Sequence, residues 1–156
     1  MNVGYATNSA SVALAAGTAR SVIGVRAGAA FGLNLKGYDI SFDGVTSSAV
    51  PVYVELCYAT FATNPPGTNS TTVAPTQRYG RVLAHGMTAA HSWVAANEPT
   101  VLTMIQDFWL DPNKGLVIYD YPLGLEPDTA LNEGFVIRCT APAVVNVRAG
   151  LRMERI

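Results

Sequence analysis

The chain has 156 residues, of which 13% are charged and 49% apolar, and its net charge is −1. A domain of this length buries about two thirds of the surface that its unfolded chain exposes, so one core is feasible without staples. The ten basic residues are scattered rather than clustered, which argues against nucleic acid as a partner. No run approaches the ~18 consecutive apolar residues of a membrane span, so no membrane partner is expected either.

Residues 1–18 are small, polar and alanine-rich, without a period, and are expected to form an N-terminal arm ahead of one β domain at 19–156. The stretch 9–19 lacks the basic start of a signal peptide, which predicts a chain that is neither exported nor inserted. Within the arm, residues 1–8 are expected to be ordered only against a partner. Residues 19–27 are rich in β-branched side chains and read as a strand. In 33–44, Leu33 and Leu35 share one face, whereas Tyr38, Ile40 and Phe42 continue in the opposite parity. Alternation that slips by one at Lys36-Gly37 predicts a β-bulge.

Residues 50–60 alternate again, with Pro51 marking an edge strand or a strand entry. The Asn, Pro, Gly, Ser and Thr of 62–79 predict a long exposed loop, either mobile or held by another chain. The segment 81–96 admits a helix by propensity and a strand by alternation, and its β context favours the strand. Residues 101–110 form a further strand, Asp111-Pro112-Asn113-Lys114-Gly115 a tight turn, and 116–122 the strand after it.

The clearest pattern lies at the C-terminus. Phe135, Ile137 and Cys139 alternate with Val136, Arg138 and Thr140, Ala141-Pro142-Ala143 interrupts the ladder, and Val145, Val147, Ala149, Leu151 and Met153 then share one face. This predicts two strands joined at a corner. The sum is an all-β chain of about eight strands, spaced as in a sandwich or barrel.

Chemistry is sparse. Cys57 and Cys139 sit in apolar strand-like runs and are expected to be buried free thiols. His85 and His91 would share a face of a strand, but no spacing supplies a third metal ligand. Asp107, Asp111 and Asp120 would meet across a hairpin at Pro112, as a calcium site or an acid/base pair, or else serve as turn caps. No nucleophile elbow, phosphate loop or zincin helix is present.

Ala96-Asn97-Glu98-Pro99-Thr100-Val101-Leu102, then Trp109-Leu110-Asp111-Pro112, Tyr121-Pro122-Leu123-Gly124, and Ile137-Arg138-Cys139-Thr140-Ala141-Pro142-Ala143 through Asn146-Val147-Arg148-Ala149 form an ordered series. It resembles the head decoration, or cement, proteins encoded beside the major capsid protein in tailed bacteriophages. The likeness runs over about residues 20–154 as an order of features, with no catalytic motif among them.

The resemblance implies a jelly-roll-like or tulip-like β domain that trimerises at three-fold positions outside an icosahedral head. There it would clamp capsid subunits against the pressure of packaged DNA. Its partners would be the major capsid protein and itself as a homotrimer; its place would be the virion exterior, after assembly in the host cytoplasm. No catalytic, cofactor or metal-binding residue follows from it, and no enzyme is expected. The low charge and high apolar content agree with subunit interfaces. Two alternatives stand beside this one. A jelly-roll carbohydrate- or receptor-binding module of a phage tail would place Tyr53, Trp93 or Trp109 in an exposed shallow site. A cupin-like enzyme would need several inward histidines, and the chain has two.

Overall fold

In the computed structural model, which describes residues 2–156, twelve strands make two stacked antiparallel sheets. In chain order they are β1 (Gly4–Asn8), β2 (Val12–Leu14), β3 (Arg20–Arg26), β4 (Leu33–Asp43), β5 (Val52–Ala59), β6 (Thr71–Val73), β7 (Thr76–Tyr79), β8 (Thr88–His91), β9 (Leu102–Leu110), β10 (Val117–Asp120), β11 (Gly134–Thr140) and β12 (Val145–Arg155). The first sheet runs β10-β4-β12-β1-β7, with β2 also against β12; the second runs β6-β8-β3-β11-β5-β9. Both sheets end in unpaired strands, so the molecule is a sandwich and not a closed barrel.

The C-terminal pattern explains the centre of the first sheet. Val145, Val147, Ala149, Leu151 and Met153 all point into the core, because alternate residues of a strand share a face. The corner at Ala141-Pro142-Ala143 carries the chain from β11 in the second sheet to β12 in the first. Facing side chains from β3, β5 and β11 fill the space between: Ile23, Val25, Val54, Leu56, Phe135 and Ile137 are all buried. The bulge lies where the parity slips. Arg152 pairs with Gly37 and Met153 with Leu35, leaving Lys36 as the extra residue. Position 37 has to be glycine, since a Cβ there would collide with the Tyr119 carbonyl, the Asp120 carboxylate and the Arg152 guanidinium.

Three expectations are corrected. Residues 1–18 are no free arm: β1 lies inside the first sheet between β12 and β7, with Gly4, Tyr5, Ala6 and Thr7 buried, and β2 pairs with Val145–Val147. Met1 lies outside the described residues. Partners within the chain, rather than intrinsic strand propensity, order this segment. The region 62–79 holds β6 and β7, which a two-residue link, Ala74-Pro75, places in different sheets. Finally, the turn at 111–115 is no hairpin. Asp111 accepts from the Asn113 amide at 2.9 Å, capping a single 3₁₀ turn, and the chain passes from β9 in the second sheet to β10 in the first. The strand count rises from about eight to twelve through β1, β2, β6 and β7, each only three to five residues long.

Within 81–96 only Thr88–His91 is a strand. Pro51 precedes β5, which lies between β11 and β9, so it marks a strand entry and not an edge.

Candidate interaction surface

Two sides of the sandwich differ in character. On one, β9 and β10 end their sheets next to each other: Tyr38 of β4 stacks on Phe108 at 6.0 Å, and the Tyr121 hydroxyl donates to Gln106 Oε1 at 3.2 Å. Both strands leave one row of backbone amides and carbonyls unpaired, which an incoming extended segment can engage. Met104, Trp109, Leu116, Ile118, Leu123 and Leu125 are exposed along this side and its turns. Leu123, at 92%, is almost wholly in solvent. The opposite side ends in the short strands β6 and β7.

The outer face of the second sheet carries an apolar recess, a shallow groove of about 360 Å³ lined by Pro51, Tyr53, Trp109, Ala141 and Pro142. Cross-strand pairing on β5 and β9 sets Tyr53 beside Trp109, ring centroids 4.9 Å apart at 39°, with Trp109 65% exposed. The next outward pair is Glu55 opposite Asp107. Like charges directly opposite repel, so each needs an outside partner. Glu55 faces Arg138 of β11 at 3.9 Å, whereas Asp107 receives only the Tyr53 hydroxyl, at 2.6 Å on Oδ2. That hydrogen bond, more than anything else, pushes the Tyr53 phenol up to about 12.

The aromatic expectations therefore divide. Tyr53 and Trp109 are exposed neighbours, but Trp93 is fully buried and lies in no surface site. Its indole N–H donates to the Asn64 carbonyl at 3.0 Å and its ring covers Gly24 and Val136, making a satellite core with Ala59, Phe61 and Ala90 outside the second sheet. The three aspartates do not converge: Asp107 holds Tyr53, Asp111 caps its turn, and Asp120 on the other sheet accepts from Arg152 at 2.7 Å. His85 and His91 have separate local partners, Met87 O at 2.9 Å and Ser92 Oγ at 2.8 Å, and burial pushes the His91 imidazole down. Among the described residues no three metal-ligating side chains cluster. Cys57 and Cys139 are free and buried; burial raises their thiols to about 11 and about 12, which leaves them protonated and inert near neutrality.

A second recess of about 400 Å³ opens on the first sheet, between Lys36, Arg78, Tyr79, Asp120 and Arg152. Lys36 there holds Glu126 at 2.5 Å, Arg152 holds Asp39 at 3.0 Å as well as Asp120, and Tyr79 donates to Glu154. With two of its three cations already taken, it is a poor place for a ligand anion. No helix of the described residues is long and apolar enough to cross a membrane. Comparison with protein-family models, with curated proteins and with solved structures gave no match.

Proposed function

We propose that this chain is a structural virion protein, a decoration protein that binds the outside of an icosahedral phage head as a homotrimer and stabilises the shell. The observation that carries this reading is the side bearing β9 and β10: two adjacent open strand edges with Met104, Trp109, Leu116, Ile118, Leu123 and Leu125 exposed along them. A monomer that kept this side bare would be exposed to uncontrolled edge-to-edge association, so a permanent partner is the economical explanation. The resemblance to cement proteins supplies the partner, the major capsid protein. An extended capsid segment added to β9 would bring main-chain hydrogen bonds for affinity and apolar side chains for specificity.

The test is sedimentation of the purified protein with expanded capsids. Co-sedimentation that saturates and raises the temperature at which the heads release DNA is expected. A protein that stays in the supernatant at every ratio refutes decoration.

The Tyr53–Trp109 pair favours one competing reading, a carbohydrate-binding module, because a flat exposed aromatic beside a carboxylate can stack on a sugar and accept from its hydroxyls. Binding on a glycan array that Trp109→Ala abolishes would select this reading over decoration.

A further inference from the structure

We infer that the chain presents a knob and a groove on opposite sides of the sandwich, and that the loop at Arg81-Val82 of one copy seats in the Tyr53–Trp109 groove of the next, closing a ring of three. The inference rests on the trimer proposed above and names the contact that builds it.

The knob is held in shape by a single side chain. Just past β7, Gly80 turns the chain with φ of 95°, and the Gln77 side-chain amide then clips the following loop from within. Its Nε2 donates to the carbonyls of Gly80 at 3.2 Å and Arg81 at 2.7 Å, while its Oε1 accepts from the Leu83 amide at 3.3 Å. Leu83 is anchored in turn, because its carbonyl accepts the Tyr5 hydroxyl at 2.8 Å and its side chain packs on the core. Between these two fixed points Val82 is thrust out, 97% exposed. An apolar side chain held rigidly in solvent loses little freedom on binding, which favours association. Beside it Arg81 is exposed and has no ion-pair partner among the described residues.

The groove offers the complement. Its walls of Pro51, Tyr53, Trp109 and Pro142 are apolar and suit a valine, while the exposed Trp109 face suits a guanidinium. At its rim Asp107 has one oxygen engaged by Tyr53, and its Oδ1 has no partner among the described residues. Lys114 is the basic residue nearest along the chain, on the turn after β9. Knob and groove are thus matched in both charge and polarity.

Position sets the kind of contact, and the number three comes from the trimer proposed above. The knob follows β7, the end of the first sheet farthest from β10, and the groove reaches β9, which lies on the β10 side. A contact between different surfaces is heterologous and closes into a ring when the rotation allows, whereas antiparallel pairing of β9 with its own copy would give only a two-fold dimer.

The test is a charge exchange read as molar mass by light scattering behind a sizing column, across a wide range of concentration. The wild type is expected at three times the chain mass of 16.5 kDa. Arg81→Asp and Asp107→Arg should each fall to one chain mass, and the double variant should return to three. If either single exchange loses its fold by circular dichroism, Val82→Ser at the bare tip and Trp109→Ala on the outer face of the sheet replace it and should also give monomers. A monomeric wild type, a mass that climbs steadily with concentration, single variants that stay trimeric, or a double variant that stays monomeric would each overturn the contact. Single variants that remain trimeric and still decorate capsids sink the contact alone. Exchanges that behave as expected in a protein that leaves capsids bare sink decoration alone.

Discussion

Trp93 and Trp109 are one residue type in two environments, and their substitution should separate cleanly. Removing the fully buried Trp93 opens a cavity over Gly24 and Val136, so Trp93→Ala should cost about 3–5 kcal/mol. Trp109→Ala, measured in the monomeric Arg81→Asp background and at a site mostly in solvent, should cost no more than about 1.5 kcal/mol, the worth of its contact with Tyr53. Urea unfolding of the two variants checks this, and equal losses would contradict the burial assignment. Val147 is buried at the centre of β12, where Val147→Asp places an unpaired charge; the expected loss is on the order of 4 kcal/mol or more. A soluble, cooperatively unfolding variant would refute the facing of that strand. The tyrosines between the sheets contribute to the alkaline limit, beside the buried thiols. Desolvation raises Tyr38 to about 12 and pushes Tyr121 higher still. Both groups bind their protons more tightly when folded, so their contribution is intact below about pH 10 and is lost as pH rises toward the folded values. Melting temperatures should therefore fall between about pH 10 and 12, less steeply in Tyr38→Phe; an unchanged slope in that variant would reject the tyrosine origin.

At the scale of the element, β1 is the informative case. An arm could be trimmed with little effect on folding, but Gly4–Asn8 pairs on both edges, with β12 and with β7. Deleting residues 1–11 should therefore abolish cooperative thermal unfolding, while a truncated protein that melted within a few degrees of the full chain would restore the arm. The sequence failed here for a physical reason: Gly4, Ala6 and Thr7 carry no alternating apolar signal, and their strand exists only because β12 and β7 offer edges to pair with. Where alternation was strong, as from Val145 to Met153, the strand and its buried face were legible, and so was the bulge at Lys36. The turn at Asp111 was legible as a turn, but capping chemistry does not say which sheet the next strand joins, so the hairpin and its aspartate cluster were misplaced. Of the candidate groove, Tyr53 and Trp109 were legible as aromatics in alternating runs. The Val82 knob was not, because it depends on Gln77 reaching across a loop whose shape no periodicity encodes.

At the scale of the whole molecule, low charge and exposed strand edges agree with a protein that completes its surface by association. The ion pairs it does have lie chiefly on the outer face of the first sheet, where Lys36–Glu126 and Arg152–Asp39 bridge β4 to the turn after β10 and to β12. The same topology also decides when the chain can fold. The middle of the first sheet is filled by β12, the last strand in the sequence, lying between β4 and β1. Until the ribosome releases those residues, β1 and β4 have no common neighbour, and β4 is paired along one edge only, by β10. Nascent chains stalled before Val145 should therefore remain sensitive to protease along nearly their whole length, with protection gained abruptly once β12 clears the exit tunnel. The first sheet should therefore close in one step, when β12 becomes free to pair.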